Sequence, residues 1–467
     1  MNLYLVILLL YAGVLMVIGL RVGRQVHAPD EFFVAGRRLG PGLVFATLLA
    51  ANIGAGSTVG AASLGYRDGL SAWWWVGSAG LGSLVLAFWV GPRLRRIAAA
   101  HDLHTVGDFL EYRYGRPVRA TIALLLWFGT LAILAAQLMA MGFVLNAVTG
   151  LDPRLGSVIG GLVVTVYFTA GGLLTSVWVN AVQLVVLLLG FACVVPIILA
   201  SVGGLSSLFE ATQGIENYWN LWQGGESGWF YLAMLGPSFV VSPGILQRVY
   251  AARDDRAVRI GVAWNGLVLL LFAMVPALLG MAARVVAPDL DNPALALPTL
   301  LLQSLPPVLG ALALAAIFSA EVSSADAILF MLATSLSKDL YVRFVRPQAS
   351  ATSILRVARF AAVFGGVASM AIAMLSNSIV SALGIFYTLL AVSLFVPLIV
   401  GLYVRRVRMP EALASIAAGV AVVGAVELTA DGGGFGGGTP AMLGLGAALT
   451  AMLVAMVMTG NKTLEGA

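Results

Sequence analysis

Stretches of about 20 apolar residues recur along this chain, and no other feature constrains its fold so tightly. A helix of that length spans the roughly 30 Å hydrocarbon layer of a bilayer. Inside that layer the backbone has no water to bond. Each crossing segment must therefore close its own hydrogen bonds, as a helix does. The composition agrees: of 467 residues, 60% are apolar and only 10% charged, whereas a soluble domain carries about 25% charged residues. Too few polar side chains exist to cover a water-facing surface of this size. The expectation is an all-α membrane protein forming one transmembrane unit over 1–467.

Hydropathy places about thirteen spans, at 3–20, 42–66, 71–96, 118–148, 155–172, 176–200, 229–250, 258–284, 295–336, 353–376, 379–403, 409–428 and 439–459. The first lacks a basic leader and a small-residue cleavage site and reads as a retained span. The ninth is too long for one crossing. Its start, from Asn292 to Pro307, reads as an external helix or re-entrant piece. Lys and Arg stay on the cytoplasmic side during insertion. With the N-terminus outside and the C-terminus inside, only Arg67, Arg154 and Arg284 of the 26 basic residues fall outside. The opposite orientation inverts that bias, so N-out, C-in is expected.

Several function classes are excluded. The net charge of +5 does not mark a nucleic-acid partner, because the basic residues cluster at span ends and form no single face. Cys193 is the only cysteine, lies mid-span and reads as a packing residue. His27, His101 and His104 lie in polar connections without metal-ligand spacing. The outside connection Ser201–Gly228 carries Glu210, Glu216 and Glu226. The glycine-rich Gly432–Gly438 follows no strand, so it reads as a flexible outside turn and not as a nucleotide loop. A membrane-embedded enzyme would need clustered His, Cys or carboxylates, which the sequence lacks.

Two spans carry helix-breaking chemistry. Span 2 contains Ala50-Ala51-Asn52-Ile53-Gly54-Ala55-Gly56-Ser57-Thr58-Val59-Gly60, with glycines and hydroxyls concentrated at its middle. Span 7 contains Gly236-Pro237-Ser238 and Ser242-Pro243-Gly244, followed by Gln247-Arg248, and each proline removes a backbone donor. The glycines alone would also fit close helix packing. Their pairing with span 7 favours true breaks. Span 2 runs from inside to outside and span 7 the reverse, each opening a five-helix unit. Inverted repeats with broken first helices describe a secondary transporter whose site lies near the bilayer midplane. The units are 42–200 and 229–403, with an extra span at 3–20 and two more over 409–459.

At these residues the sequence resembles the sodium:solute symporter family over nearly its whole length. The likeness begins at Glu31-Phe32-Phe33-Val34-Ala35-Gly36-Arg37-Arg38-Leu39-Gly40 and runs through Ala50–Gly60. It continues in Thr105–Gly115, which is similar to the family's T-x-x-(D/E)-F-L-x-x-R-(F/Y)-G cytoplasmic segment, and in Gly171–Gln183. It closes with Ser323–Tyr341, where S-S-A-D is followed by S-K-D-L-Y. The resemblance implies the leucine-transporter fold and sodium-coupled uptake of a small solute across the cytoplasmic membrane.

It also implies a sodium site between spans 2 and 9, made by the carbonyls of Ala50, Ile53 and Ala320 and the hydroxyls of Ser323 and Ser324. Hard cations take oxygen ligands, although buried serines also bond their own helix. Two positions depart from the pattern. Asn180 stands where many relatives have aspartate, which puts any further sodium site there in doubt. Glu321 stands where the family has an apolar residue. It either adds charge to the ion pathway, titrating with transport, or is a neutral or paired carboxyl in a helix contact. Asp326, in the S-S-A-D motif, reads as a structural hydrogen-bonding residue near the coupling site.

By the same resemblance, Gly54, Ala55, Gly56, Ser57 and Thr58 line the solute pocket with Gln137, Ser238, Ser242 and Gln247. Gln137 also fits a plain interhelical hydrogen bond. Trp73, Trp74 and Trp75 read as an interfacial aromatic belt more than as a gate. No basic residue sits mid-span to clamp an anionic solute, which weighs against sialic acid-like or dicarboxylate substrates, while a helix N-terminus can still hold a carboxylate and leaves amino acids and monocarboxylates open. The rival readings are a proton-coupled transporter of the same fold, a solute sensor without transport and an ion channel.

Overall fold

The computed structural model describes residues 39–171, 173–224, 228–376, 378–429 and 438–462, together with 4–6, 10, 13, 14 and 17 near the start. Most of the expected first span, the Glu31–Arg38 part of the family-like entry segment, His27, Glu226 and most of the 432–438 turn lie outside the described residues. The described chain is helical, with no β-strand. Span 2 comprises α1 (Pro41–Asn52), a wide π turn at Gly56–Gly60, and α2 (Ala61–Asp68). Then follow α3 (Trp73–Val85), α4 (Gly91–Ala100), α5 (Val106–Tyr114), α6 (Arg116–Thr149), α7 (Pro153–Gly171), α8 (Leu173–Ser201) and α9 (Gly204–Thr212). Span 7 comprises α10 (Tyr231–Val241) and α11 (Pro243–Ala251), and span 8 comprises α12 (Asp255–Phe272) and α13 (Met274–Val286). The short α14 (Ala296–Ser304) precedes α15 (Pro307–Thr334), which continues in a π-wound extension, Ser335–Val345. The chain closes with α16 (Ala351–Leu375), α17 (Ile379–Leu390), α18 (Val396–Tyr403), α19 (Met409–Thr429) and α20 (Pro440–Lys462).

Eight of the described helices are long and apolar enough to cross a membrane, or nine if α8 with α9, bent by 61°, is one span. Spans 2 and 7 split into pieces that are individually too short. The Asn292–Pro307 segment does form a separate short helix, α14, as the excess length of span 9 required. α6 and α15 form the centre: 78% of the most apolar stretch of each is buried, against 28% in α19 and 22% in α20. The last two helices pack on each other and present their outer sides to lipid.

Lipid tails are as apolar as leucine, so helices in a membrane associate by close packing, not by expulsion of water. That is how span 2 meets span 8. A Cβ on Gly65 would strike the Ala277 backbone, and one on Gly280 would strike the backbone of Ala62 and Tyr66. Span 3 meets span 7 the same way, with Gly82 against the Gly236 backbone. The contacts are reciprocal. α1 and α2 pack along α12 and α13, while α3 packs along α10. The small-residue packing considered for the span 2 glycines therefore also operates at Gly65, in α2 beyond the break.

Candidate ion and solute site

The break in span 2 arises from amides captured by side chains. α1 stops at Asn52, and Ile53 is extended, with φ −99° and ψ 104°. In a continuous helix the amides of Gly54 and Ala55 would bond the carbonyls of Ala50 and Ala51. Instead Gly54 N–H donates to Ser57 Oγ (3.0 Å) and Ala55 N–H to Gln137 Oε1 on α6 (2.9 Å). The Ala50 and Ala51 carbonyls are thereby released. In span 7, Ser242 is also non-helical (φ −55°, ψ 124°), Pro243 has no amide for the Phe239 carbonyl, and the Ile245 and Leu246 amides turn back to the Ser242 carbonyl.

α15 lies against the first break. Ser324 Oγ donates to the Ile53 carbonyl (3.4 Å), and Ser323 Oγ donates to the Ala320 carbonyl of its own helix (3.0 Å). Of the five groups expected around sodium, the Ile53 carbonyl and the Ser324 hydroxyl thus meet across the interface, Ser323 bonds its own helix as buried serines often do, and the released Ala50 carbonyl lies one turn before Ile53. A Cβ on Gly54 would strike Ser324 Oγ and stand 3.1 Å from Gln137 Oε1, so both side chains crowd the same face of the glycine. Glycine is required there by this close approach. Beside the break, Asn52 Nδ2 donates to Asn265 Oδ1 (3.1 Å), whose Nδ2 donates to Ser83 Oγ (3.2 Å), tying spans 2, 8 and 3 together.

One turn up α15, Glu321 is fully buried. Its Oε1 accepts from Thr58 Oγ1 (2.9 Å), Oε2 has no partner, and among the described residues no basic side chain pairs with it. Asp326 is buried on the same helix. Asn180 falls on α8, and its side chain lies outside the described residues.

The expected solute residues divide. Gly54–Thr58 and Gln137 come together at the break. Ser238 does not face it: its hydroxyl bridges the Met234 and Tyr387 carbonyls, both at 2.6 Å, toward α17. Ser242 sits in the break of span 7, and Gln247 lines a separate cleft with Thr105, Arg119, Trp127, Thr130 and Asp339. Trp75 is a correction to the belt expectation. It is only 3% exposed, and its Nε1 donates to the Gly56 carbonyl (2.8 Å). Trp73 and Trp74 likewise donate inward, to the Leu270 and Leu221 carbonyls. Indole N–H groups seek acceptors, and in this molecule irregular backbone supplies them. Trp75 stands in edge contact with Tyr231 and Tyr387 (centroids 5.0 and 6.2 Å), an aromatic wall that residue type alone did not reveal.

A second polar cluster lies at the Arg-rich end. Thr105 and Asp108 form a capping box that starts α5, which gives the T-x-x-D motif a physical role. Asp108, Glu111 and Asp339 surround the buried Arg119, at 2.9, 2.9 and 2.5 Å. Arg343 from the α15 extension also binds Glu111. Burial raises the Glu111 pKa, but Arg343 and Arg119 outweigh that and hold it below the ordinary carboxylate range. The carboxylates of the two family-like motifs are therefore joined through Arg119 and Arg343, which lie just beyond them, a pairing that sequence reasoning missed.

A long-helix bundle with one interrupted span packed against an unbroken helix that offers hydroxyls defines a secondary transporter. The solved structure of a Na+-coupled sialic acid symporter in a substrate-bound outward-open state shares the fold. It matches with a TM-score of 0.81 at 18% identity, covering 97% of each chain. A nucleobase-cation-symport-1 family transporter in a closed conformation matches at 0.59 and 17% identity over 94% of this chain and 96% of that one. Both are transporters of the leucine-transporter fold. The sequence model of the Sodium:solute symporter family matches residues 32–419, and the chain belongs to that family. The human sodium/iodide cotransporter is 27% identical over 90% of this chain and 68% of its own length. The Escherichia coli sodium/pantothenate symporter is 28% identical over 84% of this chain and 83% of its own. The protein is a multi-pass membrane transporter and not an enzyme.

Proposed function

We propose that this protein carries a small organic solute across the cytoplasmic membrane by sodium-coupled symport with alternating access. The observation that supports this most is the junction of the span 2 break with α15, where Ser324 Oγ meets the Ile53 carbonyl beside amides that have left the helix. In this reading sodium is held by the carbonyls of Ala50, Ile53 and Ala320 and the hydroxyls of Ser323 and Ser324. Neutral oxygens bind a monovalent ion without trapping it. The solute sits beyond Gly54, against Ala55, Gly56, Ser57, Thr58 and Gln137, with Trp75 above it. Ser242 and Gln247 mark its route toward the cleft at the Arg-rich end.

The topology proposed with it is about thirteen crossings, N-out and C-in, with inverted repeats over 42–200 and 229–403. The reciprocal packing of span 2 on span 8 and span 3 on span 7 supports the repeats, since an inverted pair of units brings first helices onto second helices. Relatives bear the names of iodide, pantothenate, glucose and proline carriers, so membership alone does not choose the solute. The test is a thermal-shift screen of the purified protein against a solute library, with and without sodium, followed by uptake into proteoliposomes under a sodium or a proton gradient alone. A solute that stabilises only with sodium and accumulates on a sodium gradient supports the reading. Solutes that bind and accumulate equally without sodium sink it.

A further inference from the structure

Glu321 is the least compensated charge in the described interior. It is fully buried, and neither lysine, arginine nor histidine pairs with it. Thr58 Oγ1 has one proton and two acceptors at 2.9 Å, the Gly54 carbonyl and Glu321 Oε1. The Gly54 carbonyl already accepts the Ser57 and Thr58 amides, both at 3.0 Å, so that proton is available to Glu321. Even so, Oε2 has no donor. An isolated carboxylate in such surroundings is costly unless a positive charge accompanies it. No charged side chain among the described residues supplies it, so either a proton or a bound cation answers the charge.

The position narrows what that is. Glu321 precedes Ser324 by three residues, about 4.5 Å along the axis of α15. Across the interface Thr58 follows Ile53, in the antiparallel sense. The same two elements thus present two oxygen clusters in series, a neutral one at Ile53 and Ser324 and a charged one at Thr58 and Glu321. The charged one borders Gly54–Gly56, on the side where the solute reading places the cargo.

We propose that Glu321 and Thr58 form a second monovalent-cation subsite, one helical turn from the Ser323/Ser324 cluster. Its occupant is either a second sodium ion or a positively charged nitrogen on the solute. Both share the chemistry of a single positive charge with oxygen-seeking contacts. The subsite rests on the symport reading above and adds to it a carboxylate ligand that the neutral cluster lacks.

Equilibrium binding of radiolabelled sodium to the purified full chain, in N-methylglucamine buffer, tests it with methylammonium chloride as the second probe. The variants are Glu321→Gln, Thr58→Val, and Ser323→Ala with Ser324→Ala. All are close in shape to the native residues, and Glu321→Gln removes a buried charge, so folding is not the obstacle. If the occupant is sodium, Glu321→Gln loses one of two classes of sodium site. Thr58→Val weakens that same class, and the double serine variant loses the other. A direct ion–carboxylate contact predicts a shift of about tenfold or more in half-saturation for Glu321→Gln. If the occupant is a solute nitrogen, sodium binding is unchanged, but methylammonium stabilises the wild type and not Glu321→Gln. Sodium binding and methylammonium response both identical to the wild type in Glu321→Gln overturn the subsite. A wild type that binds no sodium is a failure of the symport reading instead, and the methylammonium arm still decides the subsite.

Discussion

Glu111 and Glu321 both sit against the long helix α15 and its extension, yet the protein treats the two carboxylates in opposite ways. Glu111 is clamped by Arg119 and Arg343, within a cluster that also satisfies Asp108 and Asp339. Glu321 has one hydroxyl and an unpartnered oxygen. The first arrangement fixes geometry, because every charge finds its opposite inside the chain. It ties α5, the start of α6 and the α15 extension into one unit. The second leaves Oε2 without a partner, and the proposed cation subsite is built on that oxygen. The difference teaches where to look for movement: paired charges hold the Arg-rich end, and the unpaired one marks the path.

The largest effect should come from unpairing the clamp. Arg119→Met leaves three carboxylates facing one another and should cost about 3–5 kcal/mol, the usual loss when one partner of a buried pair is removed. Thermal unfolding in detergent measures it. Glu321→Gln should have the opposite sign in sodium-free buffer, raising the unfolding temperature, because it deletes an unbalanced buried charge. If both variants destabilise alike, the contrast between the two regions is wrong.

Smaller effects sharpen it. Gly54→Ala drives a methyl into Ser324 Oγ and against Gln137. Overpacking of this kind costs about 1–3 kcal/mol, and sodium-dependent stabilisation should vanish while the helical circular dichroism signal stays. Gln137→Leu orphans the Ala55 amide and should cost about 1–3 kcal/mol, read in the same unfolding experiment. The mildest test is acid. Glu111 titrates below its ordinary value of 4.5, so its stabilisation is complete above pH 4.5 and is lost as the pH falls through the lower, folded value. An unfolding profile from neutral to acid should therefore show wild type and Glu111→Gln converging only below that point. Convergence at higher pH would mean the clamp is looser than drawn.

Much of this was legible in the sequence, and the reason is range. Glycine, proline and hydroxyl residues act on backbone within a few positions, so the breaks at Ile53–Ala55 and Ser242 and the separate α14 could be read directly. The sodium candidates followed because their order along spans 2 and 9 is a motif. What sequence did not show was pairing across distance. Arg119 meets Asp339 across 220 positions, and neither residue announces the other. Trp75 misled because tryptophan is typical of membrane interfaces, while here the Gly56 carbonyl captures its N–H. Ser238 and Gln247 carry the right chemistry but point to α17 and to the lower cleft.

Gly54 has a consequence that reaches beyond packing. Ser324 and Gln137 both crowd the same face of it, so the proposed ion and solute groups meet at a single residue. Whatever draws Ser324 toward an ion shifts a wall that Gln137 and the Ala55 amide also touch. Linkage makes that traffic symmetrical: the factor by which sodium tightens the solute is the factor by which the solute tightens sodium. With both groups at one glycine, that coupling needs no long relay through the protein.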